Sequence, residues 1–182
     1  VSQDKVDAIL GEVTSAPTLA VAQESAKMDD PIPMITASAT ADEVTSYGDN
    51  MFRSCFLDPF QGETMARYAK EVLNAKTAAI IFDNGLDYGV GLKESFEAKC
   101  KELGVEVVAT ESYSTGDVDF KAQLTNIQQK NPDVLFCPDY YGVVTMIVQQ
   151  ATELGFDDIT YLGCDGWDGV LKVASDSSIF KS

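Results

Sequence analysis

The chain has 182 residues, 45% of them hydrophobic and 23% charged, with a mean hydropathy of −0.05. That is the composition of a folded protein long enough for one large domain or two small ones. Its 29 acids against 13 bases give a net charge of −16; with no basic cluster to offset it, nucleic acid and anionic lipid are excluded as partners. The absence of histidine excludes Ser-His-Asp triads, Cys-His pairs and histidine-based metal sites.

In chain order, residues 6–10 read as a short apolar strand and 17–28 as a helix carrying Leu19, Ala20 and Ala26 on its inner side. A strand over 33–36 follows, then a short helix over 41–46 entered through Thr40-Ala-Asp-Glu43, which has the form of a capping box. Next come a brief strand at 51–53, a helix from about 61 to 73, and TAAIIFD, residues 77–83, as a buried strand. A helix over 88–103 closes on Gly104, and VEVVATESY, 105–113, is a strand. The pattern repeats with a helix at 120–130, a strand at 133–137, a helix at 143–154 ended by Gly155, and a strand at 159–162. A helix-like stretch at 170–174 comes last. Short apolar strands separated by helices call for parallel pairing with right-handed crossovers, so the expected fold class is α/β, doubly wound.

The polar opening VSQDK, just before a strand, and the tail after Ala174 give the terminal units the look of pieces cut from a larger sheet, and a fragment is expected. No apolar run approaches the roughly 18 to 20 residues a membrane helix needs. No charged-then-apolar leader opens the chain either, which leaves a cytoplasmic protein or one whose leader has been removed. Cys55, Cys100, Cys137 and Cys164 are widely spaced without a C-x-x-C pair; buried small hydrophobes are the expected role, and sequence leaves a disulfide open.

The nucleophile elbow and the phosphate-binding lysine loop are both missing, and the glycines of NGLDYGVGLK lack dinucleotide-site spacing. Carboxylate-only catalysis, including Mg²⁺ held on Asp83, stays open on composition alone. What is present sits at the carboxyl ends of strands, where open α/β sheets collect ligands. After the first strand, Thr14, Ser15 and Thr18 offer hydroxyls at a helix start, with Ser15 either a plain N-cap or a ligand contact. TASATADE repeats the arrangement, with Thr40 as cap, ligand contact or both. Two such helix starts suit a carboxylate. In YLGCDGWDG, Asp165 reads either as the cap of a following helix or as the counter-ion of a ligand cation, an ammonium group. Tyr88 and Tyr140, each following Asp at a strand end, read as packing residues or as aromatic cover for an apolar side chain. Hydroxyls for a carboxylate, an acid for an ammonium and aromatics for a side chain together describe an α-amino acid site.

Six stretches, KVDAILGEVTSAPTLAVA, PMITASATADEVT, MFRSCFLDPFQG, AIIFDNGLDYGVGL, PDVLFCPDYYG and YLGCDGWDG, occur in that order across nearly the whole chain. In them the sequence resembles the periplasmic-binding-protein type I family, specifically substrate-binding proteins of branched-chain amino acid ABC transporters. The resemblance implies two α/β lobes that close on ligand, with lobe one incomplete: residues 1–53 and 163–182 would belong to lobe one and 54–162 to lobe two. It also implies that Ser15, Thr40 and the backbone around Ser38 hold the ligand's carboxylate and ammonium, that Asp165 takes the ammonium, one methylene shorter than the glutamate often found there, and that Tyr88 and Tyr140 close over the ligand. Val13 would neighbour the side chain, and Trp167 would narrow the pocket or pack at the hinge. Thr14 replaces a cysteine that some relatives use in a lobe-one disulfide.

The implied function is capture of a neutral, branched-chain amino acid outside the cytoplasm, in the periplasm or on a lipid anchor, and delivery to a permease. The family's fold also serves amides, other amino acids and aromatic acids. No catalysis, cofactor or metal is expected. A ligand-sensing receptor domain is the alternative, ahead of a carboxylate- or Mg²⁺-dependent enzyme. Exposed sheet edge and apolar surface in the truncated lobe make dimerisation or strand exchange an expected consequence.

Overall fold

In a computed structural model, which describes residues 5–156 and 158–174, the chain divides by its internal contacts into two units, Val1–Phe60 and Gln61–Ser182. The opening VSQD and the tail after Ala174, including the end of the expected 163–182 return segment, lie outside the described residues.

The first unit runs β1 (Ile9–Leu10), α1 (Ser15–Ser25), β2 (Met34–Thr36), a 3-10 turn (Asp42–Thr45) and β3 (Met51–Arg53). Its three strands are parallel in the order β1-β2-β3. Side chains alternate across a strand, so Met34 and Met51 bury with Ala22 of α1 on one face. On the other, Leu10, Ile35 and Phe52 stand in register and are 82%, 41% and 52% exposed.

The second unit starts within α2 (Asp58–Arg67), which passes into a π-helical turn (Tyr68–Val72). It continues through β4 (Thr77–Asp83), α3 (Asp87–Leu103), β5 (Glu106–Tyr113), α4 (Lys121–Gln128), β6 (Val134–Phe136), α5 (Tyr141–Glu153), β7 (Thr160–Leu162), a 3-10 turn (Asp165–Trp167) and α6 (Val170–Val173). All four strands are parallel, in the order β5-β4-β6-β7. Alternation along β4 divides the core: Ala78 and Ile80 pack with Ala66, Ala69, Leu92 and Phe96, while Ala79 and Ile81 pack with Leu124, Ile127, Val144 and Ile147. Helices cover both faces, as the doubly wound α/β expectation requires. Gly62 lets α2 lie close on α3, since a Cβ there would sit 2.8 Å from the Leu92 carbonyl oxygen and the Phe96 nitrogen.

Two local expectations are corrected. The Thr40 capping box does not form: Ala41 occupies the N-cap of the 3-10 turn and no side chain caps it. Four residues of 3-10 helix leave no room for the reciprocal α-helical bonds a capping box makes. Ser15 is likewise not a cap, because Thr14 holds the N-cap position of α1 and Ser15 is its first helical residue. The four cysteines are free thiols, with Cys100 and Cys137 buried. Burial pushes the Cys100 thiol up to about 12, which makes it the inert apolar filler the sequence suggested.

Candidate functional site

In the first unit the loop from Thr36 to Asp42 is held by long-range polar contacts. The Thr36 hydroxyl donates to the Glu12 carbonyl at 2.7 Å and accepts from the Ala39 amide at 3.1 Å. The Ser38 hydroxyl donates to the Val13 carbonyl at 2.6 Å, and Ser15 Oγ accepts from the Ala41 amide at 3.2 Å. Arg53 of β3 reaches across the loop, donating to the carbonyls of Ala39 at 3.2 Å and Ala41 at 2.6 Å. Val13 stays exposed and Ser15 buried. The Thr40 hydroxyl, on a residue 1% exposed, has no hydrogen-bond partner among the described residues. Holding it so costs about 1–3 kcal/mol. Ser15, Ser38, Thr40 and Val13 thus share one braced pair of loops, with Ser15 and Ser38 already engaged with backbone.

In the second unit the strand order sets the position. β5 and β6 flank β4 on opposite sides, and the chain leaves β4 for α3 on one face and β6 for α5 on the other. The loops diverge there and open a crevice at the strand ends. Tyr88 lies in the first turn of α3 and Tyr140 at the N-cap of α5, their rings stacked 4.8 Å apart and 11° from parallel. Asp139, 1% exposed, accepts from the Tyr113 hydroxyl and from the Tyr140 amide at 2.5 Å, so it fixes where the Tyr140 ring begins. Burial raises its pKa, against the pull of the Tyr113 bond.

Asp165 sits beyond β7 and is exposed. Its Oδ1 accepts from the Tyr88 hydroxyl at 2.5 Å and from Gln61 Nε2 at 3.0 Å. The Tyr88 hydroxyl also accepts from the Gly166 amide at 2.9 Å and lies 3.0 Å from Cys164 Sγ. Burial, then the neighbouring Cys164 and Asp165, push the Tyr88 hydroxyl far up, so it stays protonated and donates to the carboxylate. Oδ2 takes no hydrogen bond among the described residues. The geometry makes Asp165 a one-oxygen acceptor aimed by two donors.

Gly166 completes this arrangement. A Cβ there would lie 2.8 Å from the Asp139 carbonyl oxygen and from the Tyr88 hydroxyl, and 3.2 Å from the Tyr140 ring. Gly166→Ala is therefore expected to cost about 1–3 kcal/mol by overpacking, read by thermal unfolding. Trp167 donates its indole N–H to the Cys137 carbonyl at 3.0 Å, packs against the α4/α5 side of the core, and occupies the space a Gly163 side chain would need.

The sequence profile of the periplasmic binding protein family matches residues 1–178. The chain belongs to that family. Among its relatives is a Leu/Ile/Val-binding protein of Rhizobium johnstonii, 31% identical over 164 residues, which are 90% of this chain and 44% of that one. Solved structures of family members are also similar to it. A leucine binding protein from Thermotoga maritima shares 37% identity at a TM-score of 0.85, covering 96% of this chain and 49% of that one. The branched-chain amino acid transporter substrate binding protein from Streptococcus pneumoniae, in complex with isoleucine, shares 36% identity at a TM-score of 0.82, with 96% and 49% covered. The chain spans about half the length of these periplasmic binding proteins.

The structure brings Tyr88, Tyr140 and Asp165 together, and Ser15, Ser38, Thr40 and Val13 together. The described part of 163–182 hydrogen-bonds Gln61, Tyr88 and the Cys137 carbonyl after β6, and its α6 packs against α5. Sequence reasoning missed Gln61, Asp139, Gly166 and Arg53. A signal for Gln61 existed: it adjoins the inward stripe of Gly62 and Ala66 on α2, continued by Ala69 in the π-helical turn, and is itself buried, an unusual place for an amide without a task.

Proposed function

We propose that the whole protein, of which this chain is part, binds a neutral, branched-chain α-amino acid outside the cytoplasm and delivers it to an ABC transporter permease. The observation that carries this reading is Asp165: exposed, charged, with one oxygen fixed by Tyr88 and Gln61 and the other open. A guanidinium seeks both carboxylate oxygens in a planar fork, whereas an ammonium is satisfied by one. Tyr140 stacked on Tyr88 supplies the apolar cover a branched side chain needs. In the first unit Thr40 offers a buried hydroxyl whose cost a ligand carboxylate would relieve. The Leu/Ile/Val-binding protein of Rhizobium, the leucine binding protein of Thermotoga and the isoleucine complex of the Streptococcus protein support the same ligand class.

In this reading residues 1–53 and 163–182 belong to one lobe of the whole protein and 54–162 to the other, and ligand stabilises a closed state by its greater affinity for it. On the same reading the protein binds its ligand without turnover or metal, in the periplasm or on a lipid anchor. Small-angle scattering of the whole protein tests closure: L-leucine is expected to lower the radius of gyration, and an unchanged value contradicts closure. Separately, the 182-residue chain is expected to self-associate through the exposed row of Leu10, Ile35 and Phe52, each worth about 1.5–3 kcal/mol on full burial. Sedimentation velocity at rising concentration checks this, with Phe52→Ser expected to shift the chain toward monomer.

A further inference from the structure

We propose that Gln61 is a positioning residue: it sets which oxygen of Asp165 meets the ligand, and so selects a primary ammonium over a guanidinium. The inference rests on the reading of Asp165 as the ammonium acceptor. Gln61 lies in α2, 104 residues from Asp165 in sequence, and is 8% exposed. Its amide makes a reciprocal clasp. Nε2 donates to Asp165 Oδ1 at 3.0 Å, and Oε1 accepts from the Asp165 backbone amide at 2.9 Å. The clasp grips backbone and side chain of one residue, so it fixes the direction of the carboxylate as well as its location. It also fixes the orientation of the glutamine, because a flipped amide would set oxygen against oxygen and N–H against N–H.

The Tyr88 hydroxyl adds a second donor to the same oxygen at 2.5 Å. Its own lone pairs face the Gly166 amide and Cys164 Sγ, so the phenol cannot swing away to serve Oδ2 without losing them. With Oδ1 occupied from two sides, the ligand meets Oδ2 alone. That suits an ammonium and denies a guanidinium its second bond. Without Gln61 the Tyr88 hydroxyl alone holds the carboxylate, its direction and depth are less firmly fixed, and ligand and solvent can also reach Oδ1.

A double-mutant cycle on the whole protein separates this from a merely structural tie between α2 and the Asp165 loop. The probe is L-leucine, titrated calorimetrically into wild type, Gln61→Met, Asp165→Ala and the double variant. Gln61→Glu is the second variant, keeping an acceptor for the Asp165 amide and losing the donor to Oδ1. Gln61→Met and Gln61→Glu are each expected to weaken leucine binding roughly tenfold or more. In the Asp165→Ala background Gln61→Met is expected to cost nothing further. An equal loss in both backgrounds overturns the proposal, since Gln61 would then act independently of Asp165. Unchanged affinity in Gln61→Glu overturns it too. Asp165→Ala binding leucine as wild type does, or wild type failing to bind it, removes the functional reading itself and this inference with it.

Discussion

Replacing Asp165 with alanine in the whole protein is expected to weaken binding of L-leucine, taken as the proposed ligand, by about 30-fold to several thousand-fold. Truncating one partner of a buried hydrogen-bonded charge pair, which this pair becomes once ligand is enclosed in the proposed closed state, costs about 2–5 kcal/mol, and each 1.4 kcal/mol is a factor of ten in affinity. Much of that cost comes from leaving the ligand ammonium desolvated without an acceptor. The fold should tolerate the change. Asp165 is exposed, and its removal leaves the Gln61 carbonyl with the residue-165 amide and the Tyr88 hydroxyl with the Gly166 amide. The informative result is therefore a loss in calorimetric affinity far larger than the modest fall in unfolding midpoint that Gln61 Nε2–H and the Tyr88 O–H, left without their shared acceptor, would cause. A small loss would mean that the ligand cation lies elsewhere.

The opposite pattern is expected for Phe136→Ala. Phe136 is fully buried in β6, between β4 and β7, and stacks on Phe96 of α3 with ring centroids 4.3 Å apart. Deleting such a ring costs about 3–5 kcal/mol, in lost transfer energy plus the cavity that rigid neighbours leave open. Against a typical total stability of about 5–15 kcal/mol, this should move the urea unfolding transition of the second unit to clearly lower concentration. A protein of more than one unit need not unfold in a single step, so far-UV circular dichroism should be followed for an early transition rather than one shifted midpoint. The folded fraction should still bind ligand, because Phe136 is none of the groups that hydrogen-bond Asp165. Stability unchanged within about 1 kcal/mol would contradict the packing described for β6.

The contrast between these two substitutions follows what the sequence made legible. β4 was read at its observed bounds because a parallel strand covered on both faces is a nearly continuous apolar run, and TAAIIFD has that form. The helix ending at Leu103 was equally plain, since Gly104 takes the left-handed conformation (φ +69°) that favours glycine. The strand expected over 6–10 contracts to Ile9–Leu10, because its extent depends on pairing with β2 and not on its own pattern. The Thr40 capping box failed for a similar reason. Arg53, from β3, and Ser15, from α1, hold the loop by its backbone groups, and that tertiary bracing overrides a local signature.

The candidate site divides the same way. Tyr88, Tyr140 and Asp165 were visible because strand ends in an α/β sheet are few and their loops short. Their supports were not. Gln61 meets Asp165 across 104 residues, and Asp139 meets Tyr113 across 26. No local period records either pairing. Gly166 carries no local signal either: only the neighbouring carbonyl, phenol and ring show that the space for a Cβ is taken.

The central claim is that Asp165 recognises the ammonium of a neutral α-amino acid. The most direct test compares L-leucine with 4-methylpentanoate, the same carboxylate and branched chain without the amino group, by calorimetric titration of the whole protein. The account predicts saturable binding of leucine and a loss of at least about 30-fold for the deaminated acid, matching the lower end of the charge-pair cost. Equal affinity for the two, or no heat from leucine, isoleucine or valine, would contradict it.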